Sequence, residues 1–153
     1  MRAVSAGILL FRRDPDALRV LLVHPGGPFW AKRDTGAWSI PKGEIGADEE
    51  PADAARREFA EEIGSLPAGP LHALGDVLQK GGKRVIAFAL EGDFDVAQLV
   101  SNTFDIEWPP RSGRRRAFPE VDHAAWFDFA QAREKILPGQ LPLLQRLEDA
   151  LRG

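Results

Sequence analysis

The chain of 153 residues contains no cysteine and no long apolar run. The lack of cysteine excludes disulfide bonds and thiolate metal sites. No stretch approaches the roughly 18 apolar residues that a membrane span needs, and the apolar N-terminal run is soon interrupted by Arg12-Arg13-Asp14. We interpret that run as a first strand rather than as a signal peptide. The sequence therefore predicts a soluble, cytoplasmic protein without a membrane partner.

An excess of positive charge is also missing. The net charge of −3 at pH 7 argues against non-specific binding of nucleic acid, so no stable nucleic-acid partner is expected. The distribution of charge is uneven, because residues 48–62 are rich in acids. The basic residues form two clusters elsewhere: Lys80, Lys83 and Arg84, and then Arg111, Arg114, Arg115 and Arg116. An acidic site facing basic loops suits a polyphosphate ligand.

The length and the 44% content of hydrophobic residues favour one domain over residues 1–153 with one sizeable core. Apolar patterning predicts strands at Ala3–Phe11, Leu18–His24, Leu71–Gln79, Val85–Leu90 and Ala124–Phe129, with an Asp-Pro-Asp turn after the first. Helices are expected at about Pro51–Ile63, 95–101, 130–136 and 139–151. Strands interspersed with helices predict an α/β fold in which a mixed sheet has helices on both faces.

The most informative segment is GEIGADEEPADAARREFAEEIG, residues 43–64. A proline suited to a first helical turn and a glycine suited to a helix end bound a predicted helix over 51–63. On that helix Glu58, Glu61 and Glu62 share one face beside an apolar stripe. Clustered like charges require a compensating cation, and carboxylate oxygens suit hard ions such as Mg²⁺. The alternative is a solvated acidic face whose charges pair with Arg56 and Arg57.

The spacing of these residues resembles the Nudix box of the Nudix hydrolases, which implies an α/β/α sandwich with a central mixed β-sheet. By this resemblance the carbonyl of Gly43 is a metal ligand, and Glu49 and Arg57 form an ion pair that holds the loop against the helix. Glu61 and Glu62 would ligate the metal, and Glu58 would either ligate it or accept the proton of the attacking water. Ser65 departs from the family pattern, which usually has an aliphatic residue there.

Several residues outside the box segment are candidates for substrate binding. Trp30 and Trp108 lie in loops rich in glycine and proline, where a ring can stack on a nucleobase; ordinary packing is the alternative for each. The remaining candidates are charged: Lys42 for a phosphate oxygen, Arg114 and Arg116 for phosphates, and Glu120 as a further metal ligand or base. His24, His72 and His123 lack metal-ligand spacing, so we expect structural or surface roles for them.

The resemblance implies Mg²⁺- or Mn²⁺-dependent hydrolysis of a nucleoside diphosphate linked to another moiety, by attack of water on phosphorus. AVSAGILLF and GAWSIPKGE look like the MutT-type and diadenosine-polyphosphate-hydrolase branches. Candidate substrates are dinucleoside polyphosphates, nucleoside triphosphates and nucleotide sugars. In the diadenosine-polyphosphate-hydrolase branch a tyrosine often stacks on the adenine. This chain has no tyrosine, so a phenylalanine or a tryptophan would have to take that place. The alternatives are a noncatalytic Nudix-fold module that senses a nucleotide, and a protein-interaction domain. Family members are often homodimers.

Overall fold

A computed structural model describes residues 4–14 and 17–152 of the chain. Ala3, the predicted start of the first strand, and Pro15 and Asp16 of the predicted turn lie outside the described residues. The strands are β1 Val4–Asp14, β2 Ala17–Pro25, β3 Lys42–Glu44, β4 His72–Leu78, β5 Arg84–Glu91, β6 Thr103–Glu107, β7 Arg115–Pro119 and β8 Val121–Phe127. The helices are α1 Pro51–Ile63, α2 Phe129–Lys135 and α3 Leu141–Arg152, with short 3-10 turns at Val96–Gln98 and Pro138–Gln140.

The central sheet is mixed, as the sequence predicted. Its strand order is β4-β5-β1-β2-β8, and β3 pairs with β1. The pairing of β1 with β5 is parallel, whereas β1–β2, β1–β3, β2–β8 and β4–β5 are antiparallel. Strand β1 lies at the centre, and its consecutive residues Ile8, Leu9 and Leu10 are fully buried, which shows that both faces of the sheet are covered.

Alternation along the strands separates two apolar clusters, one on each face of the sheet. Ile8, Leu21 and Phe59 belong to the cluster under α1, whereas Leu9, Leu22 and Leu144 belong to the cluster under α2 and α3. This layering confirms the predicted α/β/α arrangement. Within the described part of the chain, every helix is too short or too polar to cross a membrane.

Two predicted segments differ from the structure. Residues 95–101 form only the single turn Val96–Gln98, capped by the Asp95 side chain. The stretch after Ser101 was expected to be a loop, but it forms a two-stranded hairpin of β6 and β7 that is separate from the central sheet. Paired prolines and adjacent arginines obscured the alternation of apolar residues in this stretch.

The box segment is placed by the pairing of β3 with β1 and by the residues at the two ends of α1. β3 pairs with β1 so that Gly43 lies opposite Ala6, and α1 then begins at Pro51 and ends before Gly64, whose φ of 103° suits glycine. Ala55, Phe59 and Ile63 are buried against the sheet. Burying that stripe turns the glutamate face of α1 toward the end of β3.

Candidate functional site

Gly43 and Glu58 meet where α1 crosses β3. A Cβ atom added to Gly43 would overlap the carboxylate of Glu58, so a larger residue here would force that carboxylate to move. Glycine therefore permits the observed close approach of the backbone to the carboxylate. This contact brings the main chain of β3 to the acidic face of α1.

Arg57 organises the carboxylates of the box segment. Its Nε and Nη2 donate to the two oxygens of Glu49 at 2.8 and 2.9 Å, and Nη1 donates to Glu58 at 2.6 Å and to Glu61 at 3.3 Å. Nη2 also donates to the backbone oxygen of Glu44 at 3.0 Å. Hydrogen bonds from Arg57 lower the pKa of Glu49 to about 2, so this carboxylate is charged across the physiological range. One guanidinium thus ties the loop to the helix and orients Glu58 and Glu61.

Glu62 is in a different environment from its neighbour Glu61. Burial raises the pKa of Glu62 to about 8, although the Lys42 ammonium nearby and a 3.3 Å hydrogen bond from the Lys42 N–H oppose the rise. Burial also lowers the pKa of Lys42, with the negative charge of Glu62 acting in the opposite direction. A carboxylate and an amine, both partly removed from water, therefore face each other at the end of β3.

Glu120 joins this cluster from the turn between β7 and β8. Its N–H donates to the carbonyl of Asn102 at 2.8 Å, and the Asn102 N–H donates to the carbonyl of Glu61 at 3.1 Å. Burial raises the pKa of Glu120, and the negative charges of Glu58 and Glu61 raise it further. The structure thus brings Glu120 close enough to Glu58 and Glu61 for their charges to act on it.

A cleft of about 260 Å³ opens beside this cluster. Lys42, Glu62, Glu120 and Trp30 line it, whereas Trp108, Arg114 and Arg116 lie on the β6–β7 hairpin and do not. Its other lining residues are Val23, Pro25, Ala37, Ser39, Ile40, Gln79, Lys83, Val121 and Leu137. A larger cavity of about 550 Å³ between β4, β5 and α3 is lined by no residue of the box segment, so the smaller cleft is the candidate site.

Lys83 and Gln79 are lining residues that the sequence did not single out for the site. They flank the β4–β5 turn, and the Lys83 charge lowers the pKa of Lys42, which places two cations near one another. The sequence signal that pointed to this position was the basic cluster of Lys80, Lys83 and Arg84. Its position beside the cleft depends on the pairing of β4 with β5 and of β5 with β1, which the sequence alone does not specify.

The loop between β2 and β3 forms one wall of the cleft and is fixed at several points. His24 contacts the carbonyl oxygen of Arg33 through Nε2 at 2.6 Å and Asp122 through Nδ1 at 2.8 Å. The indole of Trp38 donates to Asp34 at 2.8 Å, and Lys135 forms an ion pair with the same carboxylate. These contacts hold the loop that carries Trp30 against β8 and α2.

His24, Asp122 and His123 form a group of three potential metal ligands whose donor atoms all lie within 4.8 Å of one another. Among residues 4–14 and 17–152 it is the one such group. The group arises because the register of β2 and β8 places His24 opposite His123. His24 is buried and hydrogen-bonded, and His123 is exposed, which agrees with the structural and surface roles expected for the histidines. The box glutamates, all of which lie within the described residues, do not form a group of this kind: Glu58 and Glu61 both accept from Arg57, whereas Glu62 accepts from the Lys42 N–H.

A family model and named relatives both show similarity to this chain. The family model of the NUDIX domain matches residues 1–147. An RNA pyrophosphohydrolase of Alkalilimnicola ehrlichii is 32% identical over 140 residues, which cover 81% of this chain and 75% of the relative. An RNA pyrophosphohydrolase of Xanthomonas campestris is 42% identical over 60 residues, covering 35% of this chain and only 29% of the relative.

Two solved structures share the fold over almost the whole chain. A C. elegans Ap4A hydrolase, in a binary complex, has a TM-score of 0.68 and 22% identity and covers 99% of this chain and 98% of its own. The NUDIX domain of Shewanella oneidensis NrtR, complexed with ADP ribose, has a TM-score of 0.66 and 19% identity, and the match covers 99% of this chain and 89% of the NrtR chain. At these identities the likeness supports the fold alone.

Proposed function

This chain belongs to the NUDIX family and is a Nudix pyrophosphohydrolase, and from that premise we propose that it hydrolyses a diphosphate linkage in a nucleoside diphosphate joined to another moiety. The observation that carries the proposal is that Lys42, Glu62 and Glu120 line one cleft, while the negative charges of Glu58 and Glu61 act on Glu120 from beside it. The relatives named as RNA pyrophosphohydrolases support a nucleotide substrate.

We propose that the cluster holds Mg²⁺, with Mn²⁺ as a substitute. Nudix hydrolases generally use divalent metals, and the donors here are hard oxygens, which such ions prefer. Burial, and to a smaller extent neighbouring carboxylates, raise the pKa values of Glu62 and Glu120, and a bound cation would stabilise the charged forms of both groups. The proposed ligands are the Gly43 carbonyl and the carboxylates of Glu61, Glu62 and Glu120, and Glu58 is a ligand instead of Glu120 in the alternative in which Glu120 is the base. A bound divalent ion would supply charge neutralisation for the diphosphate and acidify a water molecule.

Glu58 is the proposed general base. Its Oε1 accepts the 2.6 Å hydrogen bond from Arg57, whereas Oε2 accepts no hydrogen bond within the described chain. Oε2 can therefore take a proton from the attacking water, while Arg57 fixes the carboxylate in place. Glu49 keeps Arg57 in that orientation, so both residues act as positioning residues. Glu120 is the alternative base.

The remaining roles concern the substrate. Lys42 and Lys83 line the cleft and suit contacts with phosphate oxygens, and Trp30 offers a ring for a nucleobase. Candidate substrates are dinucleoside polyphosphates, nucleoside triphosphates and nucleotide sugars. A cytoplasmic location and a homodimer stay predictions, and light scattering after size-exclusion chromatography tests the second.

The test is product analysis by ion-exchange chromatography after incubation of the purified protein with each substrate class and Mg²⁺ or Mn²⁺. We expect cleavage that requires the metal and is lost in Glu62→Gln. Asp53→Asn is the matched control, because Asp53 is an exposed acid on the same helix and makes no contact with the cluster. Nucleotide binding without turnover in any arm would contradict the catalytic proposal and favour a noncatalytic Nudix-fold module.

A further inference from the structure

We propose that the β6–β7 hairpin binds the second nucleotide of a dinucleoside polyphosphate, which is the part of the substrate beyond the hydrolysed linkage. This inference rests on the proposed function, since it assigns the far end of the same substrate. The binding surface is one side of the hairpin, which we call the arginine face and define as Trp108, Arg114 and Arg116 together with Phe29, the ring that Trp108 contacts.

The pairing of β6 with β7 sorts the residues of the hairpin onto two sides. Side chains directly opposite one another in an antiparallel pair share a side, and consecutive pairs alternate. The N–H of Trp108 donates to the carbonyl of Arg114 at 2.9 Å, which extends the pairing by one step beyond the strands. One side therefore carries the pairs Trp108/Arg114, Ile106/Arg116 and Phe104/Phe118, and the other side carries Glu107/Arg115, Asp105/Ala117 and Thr103/Pro119.

The two sides differ in charge compensation. On the side opposite the arginine face, Arg115 lies across from Glu107 and donates to the backbone oxygen of Asp105 at 3.3 Å. The arginine face contains no acid, and within the described residues neither Arg114 nor Arg116 has an ion-pair partner. Both are exposed. Arginines that the protein leaves uncompensated suit phosphate groups, which they bind through forked hydrogen bonds.

Two aromatic contacts prepare the same face for a base. The rings of Phe29 and Trp108 meet edge to face with centroids 5.6 Å apart, and Phe29 is 61% exposed, so its ring offers a surface for stacking. The guanidinium of Arg116 lies 5.4 Å from the ring centroid of Phe118, which steadies its plane. A base and its phosphate therefore find a ring and two arginines on one side of the hairpin.

The hairpin is also connected to the proposed catalytic cluster. Its base is fixed by the Asn102 contacts with Glu61 and Glu120, and each strand has five residues, which span about 17 Å at 3.3–3.4 Å per residue. The contact between Phe29 and Trp108 draws the tip toward the loop that carries Trp30. A ligand that reaches from the cluster to the arginine face must carry one group that the cluster binds and a second group, at its other end, that the arginine face binds. The face offers one exposed ring and two arginines, which is enough for one nucleotide and less than an extended single strand of RNA would use.

The test compares the double variant Arg114→Ala/Arg116→Ala with Arg115→Ala. The control removes an arginine from the same hairpin but from the opposite side. For each protein, kcat/KM is measured on P1,P4-di(adenosine) tetraphosphate, on ATP and on a 5′-triphosphorylated oligoribonucleotide. We expect the ratio of kcat/KM for the dinucleoside substrate to that for ATP to fall about tenfold or more in the double variant, mainly through KM. Arg115→Ala should preserve the ratio, and Phe29→Ala should lower it.

Three results would overturn the inference. An equal loss on ATP and on the dinucleoside substrate would place the arginines at the cleaved linkage, and an equal loss in Arg115→Ala would indicate a general effect of charge. A loss confined to the oligoribonucleotide would assign the face to RNA. If the wild-type protein hydrolyses nothing, the proposed function fails, but the inference about the arginine face is still testable. The affinity of Glu62→Gln for the dinucleoside tetraphosphate is then measured with and without Arg114 and Arg116. An affinity that is unchanged when both arginines are removed would refute the inference.

Discussion

Replacing Glu62 by glutamine is expected to abolish catalysis and at the same time to stabilise the fold in alkaline solution. Glu62 lies in the cleft, where burial raises its pKa from 4.5 to about 8. Glutamine has almost the same shape but carries no charge at any pH. The substitution therefore removes the free-energy penalty of ionising a partly buried carboxyl while leaving its packing in place.

The sign and the size of this effect follow from linkage. Below the unfolded pKa of 4.5 the carboxyl is protonated in both states and contributes nothing. Between pH 4.5 and about 8 the unfolded chain has lost this proton and the folded chain has not, so wild-type stability falls as pH rises. At about 1.4 kcal/mol for each pH unit, the full loss has an upper limit of about 5 kcal/mol. Relaxation of the structure around Glu62 and penetration of water reduce this loss of stability. We expect Glu62→Gln to be about 2–4 kcal/mol more stable than wild type at pH 9.

The measurement is urea unfolding of wild type and Glu62→Gln from pH 5 to 9 without divalent ions, with Asp53→Asn as the control. The variant should match wild type near pH 5 and exceed it increasingly up to about pH 8, after which the difference is constant. Mg²⁺ should narrow the difference, because it binds and stabilises the folded wild type more than the variant. A difference that is independent of pH, or that shrinks as pH rises, would refute the reasoning.

The remaining predictions concern other parts of the cleft. Gly43→Ala places a methyl group against Oε2 of Glu58 and should lower kcat about 100-fold in steady-state assays; near wild-type turnover would show that this approach is unimportant. Arg57→Ala should lower the free energy of unfolding by about 1–3 kcal/mol and expose residues 44–50 to proteolysis, and a loop that stays resistant would contradict its positioning role. Lys83→Ala should raise KM about tenfold with little change in kcat, and an equal effect of Lys80→Ala, outside the cleft, would contradict a specific phosphate contact.

Local signals made much of the fold predictable from the sequence. Pro51 and Gly64 marked the ends of α1 because one residue suits a first helical turn and the other a left-handed cap, and the structure has the helix between them. Apolar runs similarly located β1, β2, β4 and β5 to within a few residues. Strand β8 ends at Phe127, two residues before its predicted end, because Asp128 caps α2 in a reciprocal capping box with Gln131.

Features that depend on pairing between distant segments were not predictable in the same way. The proximity of His24, Asp122 and His123 depends on the register of β2 and β8, which one sequence does not specify. The position of Lys83 beside the cleft likewise depends on the pairing of β4 with β5 and of β5 with β1. The β6–β7 hairpin was missed because its tip, Trp108-Pro109-Pro110, has the composition of an irregular loop, while the ordering of the hairpin depends on contacts with Gly27 and Phe29.

The fixed loop between β2 and β3 has a consequence for how a substrate is captured. Contacts of His24 with Arg33, of Trp38 with Asp34 and of Gly36 with the Glu134 carbonyl order this wall of the cleft while the chain folds. The conformational entropy of ordering it is therefore lost during folding and is not subtracted again when a ligand enters. Because this wall is ordered before a ligand enters, we expect changes that loosen the anchors to weaken affinity, although His24, Asp34 and Trp38 do not line the cleft.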